Sequence, residues 1–359
     1  MSRELLTAVI PTRNRPHNLS GQLRLFEASG VTRAIVVADS SDSELAPDVR
    51  AAVGTRADWQ AYPATGGVFD KLAQVIDTIT TPFVALASDR KITFPHALDA
   101  ALAYLMEHDD YVAAQGYVVG FSRRNNDLDI NRVIYFTPTL AAGDPLQRHY
   151  DLMRRYQSWQ FSVFRVEPLA AAVGLAKSVA GKVFQEVVFM NALALQGKMA
   201  RLPQVISLQT TETSFYPPRR NDPFYWFLDD PRSFFRHYVA YRRRLARFIT
   251  ERNLGTPRGA DLEQLLDTIH AVWLHYNFDG GVLNYAAQLR LGHPLPPLPD
   301  PRQSIPWRAI ASDDVVHAAR GARRYIWRRE VVHAEPRGEI DISSGEIRRV
   351  ERQLDVYFR

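Results

Sequence analysis

Cysteine is absent from all 359 residues. That excludes a disulfide scaffold, a zinc–thiolate site, an iron–sulfur cluster and a cysteine nucleophile. Lysine is scarce. Of the 44 basic residues only Lys71, Lys91, Lys177, Lys182 and Lys198 are lysine, and the rest are arginine. No apolar run approaches the ~20 residues that span a bilayer. The run Leu5 to Ile10 is too short for a leader and stops at Pro11. The expected location is therefore cytoplasmic. Several motifs are missing too. No Gly-x-Gly-x-x-Gly follows the first apolar run, and no Gly-x-x-x-x-Gly-Lys-Ser/Thr occurs. Dinucleotide and P-loop readings lose their phosphate cradle. There is no Gly-x-Ser-x-Gly elbow and no His-Glu-x-x-His.

What is present is an ordinary globular composition, 46% hydrophobic and 23% charged. A chain of this length and composition buries a sizeable core. The net charge of +5 is mild and discriminates poorly among anionic partners. No nucleic-acid module is matched, so no nucleic acid is expected as a partner.

The first half alternates strand-like and helix-like segments. Leu5 to Ile10 reads as a buried strand ended by Pro11, and the loop Thr12 to Pro16 follows. A helix with Leu19, Leu23 and Phe26 comes next, with Asn18 as its cap and Gly30 as its stop. Ala34 to Ala38 is a second strand that ends at Asp39-Ser40-Ser41-Asp42. Trp59 to Tyr62 is a third. Gly66-Gly67 opens a helix carrying Leu72, Val75 and Ile76. Phe83 to Ala87 is a fourth strand, ending at Ser88-Asp89-Arg90. Pro95 suits the first position of another helix, and Tyr111 to Phe121 is a long strand. This alternation predicts a mostly parallel sheet covered on both faces.

Further on, Pro145 to Tyr156 reads as a helix, Phe161 to Val166 as a strand and Phe184 to Leu195 as a helix. Met199 to Leu202 returns to the sheet. Phe224 to Phe248 is aromatic and Arg-rich, Asp261 to Tyr276 is helical, and Gly292 to Pro306 is a proline-rich linker. The remainder is charged and helical in pieces.

In an open α/β sheet, ligands bind at the carboxyl ends of the strands. Three polar clusters fall there: Thr12-Arg13-Asn14, Asp39-Ser40-Ser41 and Ser88-Asp89-Arg90. Their order and sequences resemble the family 2 glycosyltransferases. Val9 to Pro16 is similar to that family's opening strand and loop. Ile35 to Asp42 is similar to its second strand. Thr81 to Arg90 falls where it has its acidic DxD-type signature. The resemblance covers roughly residues 5 to 210 and implies a nucleotide-sugar-binding GT-A fold with a mostly parallel sheet. It divides the chain into a glycosyltransferase domain (1–215) and a mainly helical C-terminal region (216–359). Within the first, residues 1–120 take the nucleotide sugar and 121–215 the acceptor.

The same resemblance implies the site. Pro11, Thr12, Arg13, Asn14, Asp39, Ser40, Ser41, Lys71, Ser88, Asp89 and Arg90 would meet the donor, with Asp39 at the nucleotide base. The family's consecutive acids hold Mg²⁺ or Mn²⁺ against the diphosphate. Here only Asp89 remains as a metal ligand. One carboxylate makes a weak site for a hard cation, so Arg90 or Lys91 is expected to neutralise the diphosphate and metal dependence to be reduced or absent. No organic cofactor is implied.

Inverting transfer needs a base for the acceptor hydroxyl. Glu186, in Phe184-Gln185-Glu186, stands where the family places it, and a helix N-terminus would keep it ionised. Asp144, Asp151 and Glu167 are weaker candidates. Trp159, with Tyr156 and Gln157 nearby, is the candidate acceptor platform. The implied partners are a nucleotide-sugar donor and a glycan, lipid-linked or protein hydroxyl. The Arg-rich stretches 232–247 and 323–329 add a peripheral contact with an anionic membrane, at its inner face. Two other functions fit parts of the pattern: a non-catalytic nucleotide-sugar binder of the same fold and, less well, a nucleotidyltransferase.

Overall fold

The computed structural model describes residues 5–29, 34–42, 57–63, 67–211, 223–255, 259–290, 322–334 and 340–358. The first half runs β1 (Leu6–Thr12), α1 (Pro16–Ala28), β2 (Ala34–Asp39), β3 (Ala57–Ala61), α2 (Val68–Ile76), β4 (Phe83–Leu86), β5 (Lys91–Thr93) and α3 (Pro95–Glu107). The middle runs β6 (Tyr111–Arg124), β7 (Asp127–Tyr135), α4 (Pro145–Arg154), β8 (Val163–Arg165), α5 (Val166–Lys177), α6 (Lys182–Gln196) and β9 (Lys198–Thr210). After it come α7 (Pro223–Asp229), α8 (Pro231–Glu251) and α9 (Ala260–Arg290). The last part holds β10 (Tyr325–Trp327), α10 (Arg329–Val332), the short pair β11 (His333–Ala334) and β12 (Ile340–Asp341), and α11 (Ser344–Tyr357).

Ten strands form one sheet. β3, β2, β1 and β4 lie side by side in parallel. β8 runs against both β4 and β6, which makes β6 parallel to β4, and β9 follows β6 in parallel. β7, β5 and β10 run the other way. The sheet is thus mostly parallel and flanked by helices, as expected. The central strands are apolar runs such as Ala8-Val9-Ile10 and Val84-Ala85-Leu86, buried on both faces. One face packs against α2, α5 and α6, with α8 and α9 outside them. The other packs against α1 and α3.

Several boundaries move for physical reasons. Pro11 does not end β1, because it pairs with Ala38 and Thr12 pairs with Asp39. Proline lacks only the N–H, and its carbonyl remains available. α1 begins at Pro16, not at Asn18; Asn18 lies buried in the first turn and donates from Nδ2 to the Asp89 carbonyl, 2.8 Å. β5 and β7 are strands that hydrophobic alternation did not single out, since Asp127 to Tyr135 interleaves Asp, Asn and Arg with its apolar residues. Gly30, Gly66 and the 292–306 linker lie outside the described residues.

The C-terminal segment returns to the sheet. β10 adds to β7, and α11 packs against α1. Gly21 on α1 is needed there, because a Cβ would come within 2.8 Å of the Tyr357 ring. Glu346 on α11 accepts from the Val205 amide and binds His96 Nε2, both at 2.8 Å. Among the described residues no helix is long and apolar enough to cross a membrane.

Candidate active site

The carboxyl ends of β1, β2 and β4 meet around Asp89. This carboxylate is buried. Its Oδ2 accepts from Thr12 Oγ1 and from the Arg13 amide, both at 3.1 Å. Arg15 Nη1 reaches both oxygens at 3.2 and 3.3 Å. Asn14 adopts φ 55°, a left-handed conformation that asparagine tolerates. That turn lets its amide donate to Ser41 Oγ at 2.9 Å while its side chain exchanges two bonds with Asp42. The Asn14 bond, and Arg13 behind it, hold the Asp42 carboxyl below its ordinary value. Asp39 Oδ1 accepts from the amide and hydroxyl of Ser41, at 2.8 and 2.6 Å. Ser88 Oγ accepts from the Arg90 amide.

Lys71 reaches into this crevice from α2. Its Nζ donates to the carbonyls of Thr12 and Ala38 and to Ser40 Oγ, at 3.3, 3.1 and 2.9 Å. Burial pulls its pKa down, and the charges of Asp89 and Asp39 pull it back. Lys71 therefore ties β1 to β2. All the strand-end residues expected from the sequence are brought together here, with Pro11 half-buried at the end of β1.

The expected metal role of Asp89 is not supported by this donor set. Both oxygens already carry hydrogen bonds, and the Arg15 guanidinium pairs with the carboxylate. Among the described residues no cluster of three or more His, Asp or Glu is placed to hold a metal. The residues present do not fit a divalent cation.

A second group lies two residues beyond Asp89. Lys91 is 5% exposed. Its Nζ lies 3.7 Å from the centre of the Phe161 ring and 4.7 Å from that of Tyr135. It has no hydrogen-bond partner, and burial pushes its pKa far down while Glu186 opposes this. Glu186 is half-buried on α6. Burial raises its pKa; Lys91 and the Ser158 and Tyr156 hydroxyls lower it. Burial, with Glu186 next, lifts Tyr135 to about 12 and Tyr156 well above its ordinary value. Both phenols are thus neutral hydrogen-bond donors at neutral pH.

The position of Glu186 differs from expectation in one respect. α6 starts at Lys182, with Gly181 at φ 87° as its cap and a Cβ there excluded by Trp226 at 2.8 Å. Glu186 lies in the second turn, where the helix dipole has largely decayed. Its charge is governed by Lys91 and burial instead. Trp159 is corrected outright. It is fully buried, with Arg201 4.3 Å from its ring, so it offers no face to an acceptor and belongs to the core. Gln157 is also engaged, accepting from Phe136 and Thr137. Asp144 caps α4 and bonds the Gln147 amide, Asp151 accepts from Gln147, and Glu167 lies in the first turn of α5.

Sequence reasoning did not single out Arg15, whose signal is a third polar residue in the Arg13-Asn14-Arg15 loop facing a lone acid. An open cavity of about 1050 Å³ lies at the opposite, amino ends of the strands. Its described lining carries one charged group, Asp58, and no cation.

No protein-family model matches the sequence, and no curated protein matches it. Solved structures do. TarS residues 1–349 from S. aureus are 13% identical, with 76% of this chain and 72% of that chain covered at a TM-score of 0.51. The chain has the GT-A fold. The same TarS fragment in complex with UDP-GlcNAc superimposes equally well, at 0.51. A mannosyltransferase from Pyrobaculum calidifontis, in complex with GDP-Man and Mn²⁺, is a looser match: 11% identity, 87% of this chain and 79% of that chain, TM-score 0.45. Lys91 follows Asp89 by two residues, at the start of β5.

Proposed function

We propose that this chain is a nucleotide-sugar-dependent glycosyltransferase that inverts configuration at the transferred carbon. The observation that carries the reading is the interaction of a half-buried carboxylate of raised pKa, Glu186, with Lys91, two residues beyond Asp89. The GT-A fold and the TarS complex with UDP-GlcNAc support the choice of donor class.

In this reading the donor nucleotide lies along Pro11 to Asn14 and Asp39 to Ser41. Its diphosphate meets Arg90 and the backbone after β4, without a cation. The Glu186 carboxylate takes the proton of an acceptor hydroxyl. The acceptor oxygen then forms its bond to C1 from the face opposite the diphosphate. The C1–O bond to the phosphate breaks, and the nucleoside diphosphate leaves with the bonding pair. A raised pKa suits a base, since it strengthens proton affinity. Residues 1–120 serve the donor and 121–215 the acceptor. The acceptor is a hydroxyl of a glycan, a lipid-linked saccharide or a protein.

The test is Glu186→Gln. Transfer should fall by about a thousandfold or more, well beyond the usual general-base contribution's lower bound of ~10², with donor affinity unchanged within about twofold. Turnover within about tenfold of wild type would remove Glu186 from the mechanism.

A further inference from the structure

α8 divides into two faces. One is buried: Phe234, Tyr238, Tyr241, Leu245, Phe248 and Ile249 point into the protein. Phe184 of α6, two residues before Glu186, stacks on Tyr241 at 5.3 Å. The other face is exposed and basic. Arg232, Arg236, Arg243, Arg244 and Arg247 are all exposed. The spacing of Arg232, Arg236, Arg243 and Arg247 places them on one stripe, about 22 Å long at 1.5 Å per residue. From Pro231 to Thr250 the helix carries no acid. Among the described residues, Arg242 alone of its arginines has acidic partners, Glu263 and Asp267. Beside the stripe, a groove of about 290 Å³ between α5 and α8 is bordered by Arg244, Arg247 and Arg252, with Glu251 as its one acid. At the stripe's start two large apolar side chains face solvent, Phe235 at 52% and Leu228 at 49% exposure.

We infer that this face of α8 docks on an anionic phospholipid surface. Charge complementarity argues for it: a row of guanidiniums without acidic partners matches a plane of phosphates, and a guanidinium fork suits phosphate oxygens. The exposed Phe235 and Leu228 distinguish a bilayer from a nucleic-acid backbone, because they can enter the headgroup layer next to the arginines that bind its phosphates. The helix already buries its apolar face in the protein, so it adsorbs as a rigid basic surface. The second Arg-rich stretch does not join it: Arg324 pairs with Asp127 and Arg328 with Asp129. Docking on α8 is independent of the sugar-transfer reading, though it brings the layer behind α6 against the membrane.

The test is flotation of the full chain with phosphatidylcholine vesicles, with and without phosphatidylglycerol. Binding should require phosphatidylglycerol and be lost when salt is raised to about 0.5 M, where the Debye length falls well below 10 Å. Each basic residue near such a surface contributes roughly fivefold. The triple variant Arg236→Glu, Arg243→Glu, Arg247→Glu should therefore lose at least ~100-fold, with an unchanged melting temperature as the control for folding. Phe235→Ser should lose several-fold and keep the salt dependence. Equal binding to neutral vesicles, no vesicle binding by the wild type, full binding by the triple variant, or tighter binding to an RNA competitor would each overturn the inference.

Discussion

Asp89 and Glu186 are two carboxylates of the candidate site, and they live under opposite conditions. Asp89 is held by Thr12, the Arg13 amide and Arg15, so its charge is consumed in joining the β1 loop to the end of β4. Glu186 interacts with Lys91, a buried amine with no hydrogen-bond partner among the described residues. A fully satisfied network rigidifies its surroundings. A buried polar group that lacks a hydrogen bond is costly and persists where it serves something other than stability. The difference separates two parts of the candidate site: the strand-end network around Asp89 is built to be rigid, and the Lys91–Glu186 group is left without such a network.

Substitutions can break that contrast. The largest effect should come from Asp89→Asn, which leaves Arg15 buried without its counter-charge. Removing one partner of a buried pair costs about 3–5 kcal/mol. Chemical denaturation should show a loss of that order, and Arg15→Met on top should recover most of it. Unchanged stability would mean that Asp89 is not the scaffold carboxylate described here.

Lys91→Met should act in the reverse sense. It removes a buried amine that lacks a hydrogen bond among the described residues, so stability should hold or rise. Glu186, however, loses the charge that opposes its burial, and its pKa should climb further. The acid limb of the kcat/KM profile should then move to higher pH, with activity lost below it. An unmoved limb with reduced stability would make Lys91 a packing residue.

The smallest effect concerns the helical region behind the site. His149 and His270 are fully buried, 5.2 Å apart, and neither nitrogen of His149 has a partner. Burial lowers His149 to about 3. The unfolded chain binds its proton near the ordinary histidine value, so stability should fall as pH drops from about 6.5 toward 3. The slope contributed is at most about 1.4 kcal/mol per pH unit. His149→Phe should flatten that slope in acid denaturation curves and leave the neutral-pH value within about 1 kcal/mol.

Much of the strand-end crevice was legible in the sequence because strand ends announce themselves. A β-branched apolar run followed by Thr12-Arg13-Asn14 or Asp39-Ser40-Ser41 fixes both the strand and the loop that ends it. Glu186 was singled out only through resemblance, since one acid in a helix carries no local signal. What escaped depends on long-range packing. Trp159 looked like a sugar platform until Arg201 and the core closed around it. Lys91 looked like a second diphosphate cation, and only the arrival of Phe161 and Tyr135 from distant elements buries it. The strand β7 was hidden by its polar interleaving, and the return of α11 onto Gly21 could not be read from a charged tail.

The most direct measurement is a thermal-shift panel of UDP, GDP, CDP, CMP, dTDP and their common sugar conjugates, each with Mg²⁺, Mn²⁺ or EDTA. Occupancy at ~100-fold above Kd should add roughly 2.7 kcal/mol to stability. The account predicts that one nucleotide family raises the melting temperature and does so equally in EDTA. No shift with any nucleotide, or a shift that appears only with a divalent cation, would contradict it.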